Sequence, residues 1–127
     1  MLINTPISLG EIVDKISILI IKQKNITDET KLVHVKKELD FLQKTLMNYI
    51  QQEEINNHLE KLININSKLW NIEDDIRECE RKKMFDQTFI DLARSVYFTN
   101  DERAKVKNDI NKTFGSELVE VKSYEEY

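Results

Sequence analysis

Glycine and proline are nearly missing from this 127-residue chain, which has two of the first and one of the second. Tight turns and hairpins draw on both residues, so sharp reversals must be few and the elements between them long. A single cysteine, Cys79, excludes an internal disulfide. No charged, apolar, small-residue leader precedes the first predicted element, and together these points give a cytoplasmic protein as the expectation. The longest apolar run, Ile16 to Ile21 broken by Ser17, is far short of the roughly 20 residues that cross a bilayer, so no membrane partner is expected. The two histidines, His34 and His58, stand at no zinc-binding distance in sequence from a cysteine or acid, and neither metal nor cofactor is expected. Gly10 and Gly115 stand alone, so there is no glycine-rich phosphate loop. The charge balance, 19 basic against 23 acidic residues, lacks the basic excess that nucleic-acid binding requires.

What the chain does have is helical periodicity. Ser8 and Glu11, with Pro6 just outside, have the form of a capping box and predict a helix from Leu9 to about Asn25. Leu9, Ile12, Val13, Ile16, Leu19 and Ile20 share one face, while Ile18 and Ile21 project from nearly the opposite side. Such a helix is either central to a bundle or meets a second copy of the chain through Ile18 and Ile21. Its β-branched residues leave a buried strand over Ile16 to Ile21 as a rival reading. Ile26 to Glu29 supply a break and a new N-cap, after which Leu32, Val35, Leu39, Leu42, Leu46 and Tyr49 keep unbroken coiled-coil spacing.

A third apolar series runs from Ile55 through Leu62, Leu69 and Ile76 to Cys79, placing the thiol on the apolar seam as a small hydrophobe. Helices two and three are read as an antiparallel hairpin, with one continuous helix as the alternative, since no glycine or proline marks the turn. Asp86 caps a fourth helix, with Phe85 positioned to staple onto Ile90. Thr99 and Glu102 have the form of another capping box, which predicts a fifth helix ending at Gly115. Beyond it Leu118, Val121 and Tyr124 alternate weakly, as in an extended arm lying across the bundle. The expected fold is one all-α domain over residues 1–127: an antiparallel bundle of about five helices with a short extended C-terminal arm.

Two polar constellations stand out. On the third helix Asn66, Trp70, Glu73, Arg77 and Glu80 share a stripe beside the apolar seam. Its plain reading is a Glu73 to Arg77 pair on a solvated face. Its sharper reading takes Glu73, Asp74, Asp75 and Glu78 as Mg²⁺ ligands facing a phosphate substrate, but no second acidic set has a matching spacing. The other constellation, Arg94, Asn100, Arg103 and Lys107, surrounds the predicted start of the fifth helix, where free backbone N–H groups would receive an anion. Arg103 and Lys107 are like charges four residues apart, an arrangement that calls for an acid from another helix or a bound anion between them; Glu73 and Glu80 are the candidates.

The stretches Ser8 to Ile16, Leu69 to Asp74, Leu92 to Tyr97, Asn100 to Arg103 and Val121 to Tyr124 resemble a family of small bacterial and phage-encoded helical proteins catalogued only as a domain of unknown function. The resemblance implies no catalytic residue, and it leans toward a sugar or nucleotide-sugar setting. The second apolar face of the first helix and the coiled-coil spacing of the second make the expected function a non-enzymatic interaction or scaffold module that self-associates as a dimer. The alternative is a binder of, or Mg-dependent enzyme for, a nucleotide, nucleotide sugar or other small phosphorylated ligand.

Overall fold

Three of the four helix starts in this chain are capped by side chains at the expected offsets. Ser8 Oγ accepts the Glu11 N–H at 3.1 Å, Asp28 that of Lys31 at 3.0 Å and Asp86 that of Phe89 at 3.3 Å, each satisfying an N–H that a helix start leaves open. The structure, a computed structural model, describes residues 1–127 and has four helices and no strand: α1 (Leu9–Asn25), α2 (Glu29–Met47), α3 (Gln52–Arg81) and α4 (Gln87–Phe114). The rival strand over Ile16 to Ile21 lies inside α1. None of the helices is long and apolar enough to cross a membrane.

There are four helices rather than about five because no break occurs at Thr99. Phe89, Leu92, Val96, Thr99, Arg103, Ala104, Lys107, Ile110, Asn111 and Phe114 keep helical spacing throughout. In the second half of that stripe several inward positions are polar, so Thr99, which looks like a cap, is a buried mid-helix residue. The Phe85 staple also differs. Phe85 packs edge-on against Phe89, with ring centroids 5.2 Å apart, and Ile90 stays exposed. Gly115 ends α4 in the left-handed region at φ 69°, as expected of a C-cap, and the Ser116 N–H reaches back to the Asn111 carbonyl at 2.8 Å.

α1 is the central element and contacts each of the other helices. α2 and α3 both lean on it rather than on each other, so they are not the packed hairpin predicted, and the break between Met47 and Gln52 removes the single-helix alternative. The core joins Ile12, Val13, Ile16 and Leu19 of α1 to Val35, Leu39 and Leu46 of α2, to Ile55 and Leu62 of α3 and to Ile110 of α4. Tyr49, the last member of the coiled-coil series, is 81% exposed because α2 ends two residues earlier, and the buried Ile50 takes its place.

α1 has 17 residues against 30 in α3 and 28 in α4. At 1.5 Å per residue the longer pair outruns it by roughly 15–20 Å. Accordingly, nothing on α3 beyond Ile72 and nothing on α4 before Thr99 is buried, and Cys79 is only half-covered. The arm after α4 has neither helix nor strand and lies along α4. Tyr127 packs against Tyr97 and Phe98 and its hydroxyl donates to Asp101, while Leu118, Val121 and Tyr124 remain exposed.

Candidate binding site

Close approach of α1 and α4 begins at Gly10. A Cβ there would stand 2.4 Å from the Lys107 carbonyl oxygen and 3.0 Å from Asn111 Oδ1, so no other residue fits without moving a backbone. The approach lets side chains of α4 cap α1: the Gly10 N–H donates to Asn111 Oδ1 at 2.7 Å, and Ser116 Oγ accepts the Leu9 N–H at 3.2 Å. With Ser8 accepting from Glu11 and Ile12, every N–H of the first turn has a partner within the chain.

One turn further along α1, Asp14 is buried with a side chain 1% exposed. Arg103 holds it through two hydrogen bonds, Nε to Oδ1 at 2.8 Å and Nη2 to Oδ2 at 2.5 Å. Asn66 Nδ2 adds a third, to Oδ1 at 2.9 Å, and also donates to Ser17 Oγ at 2.7 Å, while the Ser17 hydroxyl donates to the Asp14 carbonyl at 2.6 Å. A carboxylate this deep is tolerable only when so partnered. Hydrogen bonding to Asp14, against the desolvation that opposes it, raises the Arg103 pKa further above its already high value. The next turn of α4 carries Lys107, 8% exposed in its side chain, with Nζ 2.7 Å from Glu11 and 3.0 Å from Glu120 of the arm. Burial works against that charge, but the two carboxylates outweigh it and the Lys107 pKa stands above the ordinary lysine value. Glu120 in turn is held below the usual carboxylate range by Lys107.

The outer side of Arg103, 27% exposed, faces an open cleft of about 380 Å³ between α1, α3 and α4. Ile18, Ile21 and Leu69 supply its apolar wall; Asn66, Trp70, Glu73, Asp74 and Arg77 of α3 and Asn100 and Arg103 of α4 supply the rest. Four of the five stripe residues thus meet half of the expected cationic cluster. Glu80 lies outside, paired with Lys83, and Arg94 lies on another face of α4 with its guanidinium 5.8 Å from the Phe98 ring. Lys107 belongs to the Glu11–Glu120 cluster. The expected free N–H groups near Asn100 do not exist, because that segment is mid-helix. Ile21 is buried and Ile18 half-buried within a single chain, so covering them does not require a second copy. No three His, Cys, Asp or Glu side chains converge as metal ligands anywhere in the chain, and of Glu73, Asp74, Asp75 and Glu78 only Glu73 and Asp74 line the cleft.

The acids that satisfy Arg103 and Lys107 are Asp14, Glu11 and Glu120, not Glu73 or Glu80. A usable signal was present in the sequence: Glu11 and Asp14 lie three apart on α1, and Arg103 and Lys107 four apart on α4, spacings that each put two charges on one helix face. A second hollow of about 670 Å³, mostly apolar, lies between the N-terminal segment, the turn after α2 and the end of α4, lined by Pro6, Ile7, Tyr49 and Phe114 among others. It contains no comparable buried ion pair.

The model of a protein family described as a family of unknown function (DUF6165) matches residues 3–127. No curated protein and no solved structure matches the chain.

Proposed function

Since the chain belongs to this family of unknown function, its role has to be read from its own side chains, and we propose that it is a non-enzymatic binding module that takes a small polar ligand in the cleft beside Arg103. The observation that carries this reading is the Asp14–Arg103–Asn66–Ser17 network. It spends a buried carboxylate on fixing one guanidinium whose outer N–H groups face solvent, a preorganisation that lowers the entropy lost when a ligand binds. Trp70 adds an aromatic surface, and Asn100, Arg77, Glu73 and Asp74 add donors and acceptors around the rim. The cleft holds no cysteine, serine or histidine, and its two carboxylates, Glu73 and Asp74, are open to water rather than buried, which favours recognition over catalysis. Small molecules with an anionic group that suits a guanidinium are the ligands to try, among them carboxylates, phosphorylated small molecules, nucleotides and nucleotide sugars.

The test is a thermal-shift screen of nucleotides, nucleotide sugars, sugar phosphates, free sugars and free amino acids. A ligand that binds only the folded state raises its stability. The expected result is a shift with one of these classes that Trp70→Ala reduces and Arg94→Ala leaves alone. A shift unaffected by Trp70→Ala but lost in Arg94→Ala would place binding elsewhere.

Self-association is a second reading, and the projecting end of α3 and α4 favours it over Ile18 and Ile21. Met84, Phe85 and Ile90 are exposed there, and the same end of α3 carries both Glu78 and Arg81, so a copy related by a two-fold axis would meet opposite charges. We further read the neighbouring helices as antiparallel, from connections of three to five residues, and the chain as cytoplasmic, from its one unpaired cysteine.

A further inference from the structure

Asp14 takes one whole edge of the Arg103 guanidinium, Nε and Nη2. That leaves Nη1 and the outer hydrogen of Nη2 as a second edge, of which only one donor is weakly engaged, by Asn100 Oδ1 at 3.4 Å. Two parallel N–H groups of this kind suit a carboxylate or a phosphate equally well in shape. Charge separates the two. Glu73 and Asp74 stand on the cleft wall and Asp14 lies behind Arg103, so three carboxylates face the two guanidinium groups of Arg77 and Arg103. Glu11 and Glu120 do not change that balance, because Lys107 and Lys122 pair with them. A surround with excess negative charge repels a dianion but accepts one carboxylate when the same molecule brings a cation. Both acids on the wall can receive that cation. Asp74 is exposed and forms no ion pair within the chain, and Glu73 has only a 3.3 Å contact with the exposed Arg77. The remaining wall, Ile18, Ile21, Leu69 and Trp70, offers apolar and aromatic surface. A volume of about 380 Å³ lies at the small end of the range for ligand cavities.

We infer that the ligand of this cleft is a small zwitterion, a free α-amino acid with an apolar side chain. Its carboxylate lies on the outer edge of Arg103, its ammonium group between Glu73 and Asp74, and its side chain against Trp70 and the Ile18–Ile21 wall. This inference rests on the cleft being the binding site.

Trp70 is the one tryptophan of the chain, so its fluorescence, excited where phenylalanine does not absorb, reports occupancy directly. L-phenylalanine and L-leucine are titrated against the full chain with calorimetry in parallel. Comparison ligands are 3-phenylpropanoate, which lacks the amine, 2-phenylethylamine, which lacks the carboxylate, and a nucleoside monophosphate, a sugar phosphate and a neutral sugar. The expected result is saturable binding of an amino acid at least tenfold tighter than either monofunctional analogue. The double variant Glu73→Gln, Asp74→Asn, which keeps side-chain size at one half-exposed and one exposed position, weakens the amino acid at least tenfold and leaves 3-phenylpropanoate unchanged or tighter. Binding of a phosphate ester or sugar at Trp70 without any amino acid would overturn the zwitterion and keep the cleft. No fluorescence or heat change with any of these ligands would overturn both.

Discussion

At the scale of single residues, the account turns on which groups can reach water once a partner is lost. Arg103 is partly exposed and Asp14 is not. Asp14→Ala lets the guanidinium rehydrate and should cost about 3 kcal/mol, whereas Arg103→Ala strands a carboxylate in the interior and should cost more, toward about 5 kcal/mol. Urea unfolding of the two variants checks the order, and equal losses would mean that Asp14 is better solvated than its burial indicates. Gly10→Ala should cost about 1–3 kcal/mol, because its Cβ meets the backbone carbonyl of Lys107, which has no rotamer in which to yield. The reverse applies at Lys83, which sits at φ 55° where α3 ends. Lys83→Gly should raise stability by about 1 kcal/mol, read as a higher midpoint of thermal unfolding.

At the scale of elements, the C-terminal arm is tied to α4 by titrating groups at two places. Glu120 is lowered from 4.5 by Lys107, so its contribution is present above that value and is lost as pH falls through the depressed one. Lys107 is raised from 10.5 and contributes fully below that value, losing the tie as pH rises beyond it. Tyr127, whose hydroxyl donates to Asp101, is pushed up from 10.0 to about 12, so its tie is complete below 10.0 and is lost between there and about 12. Amide exchange along residues 116–127 should therefore be slowest through the neutral range, after correction for intrinsic rates, and should rise at both extremes. A flat profile would detach the arm from these groups.

The same scale shows what the sequence could disclose. Ser8, Asp28, Asp86 and Gly115 act within one turn of themselves, so the ends they set can be read locally. The continuity of α4 could not be read that way. Its inward positions Arg103, Lys107 and Asn111 are polar because α1 meets them with the Asp14 and Glu11 carboxylates and with the Gly10 N–H, which donates to Asn111, and a stripe defined by apolar residues breaks where the partner helix is polar. The site was half legible for a related reason. Asn66, Trp70, Glu73 and Arg77 share one helix face and announce themselves as a group, whereas Asp14 lies 89 positions from Arg103 and looks like an ordinary surface acid until the fold brings α1 against α4.

At the scale of the whole molecule, two helices of unequal reach to α1 divide the chain into a buried half, with its ion pair and cleft, and an end of only two helices with exposed apolar side chains. If copies associate, Phe85→Ser with Ile90→Glu should shift light scattering from dimer to monomer, while the amino-acid or phosphate response of the cleft is unchanged. The central claim is that the cleft beside Arg103 is where this protein meets its ligand. It is tested most directly by ¹H–¹⁵N spectra recorded while the compounds of the thermal-shift screen are added. The account predicts perturbations centred on the Trp70 indole, the Asn66 and Asn100 side-chain amides and the Arg103 Nε–H. Perturbations centred instead on Tyr49, Phe114 and the second hollow, or on Phe85 and Ile90, would contradict it.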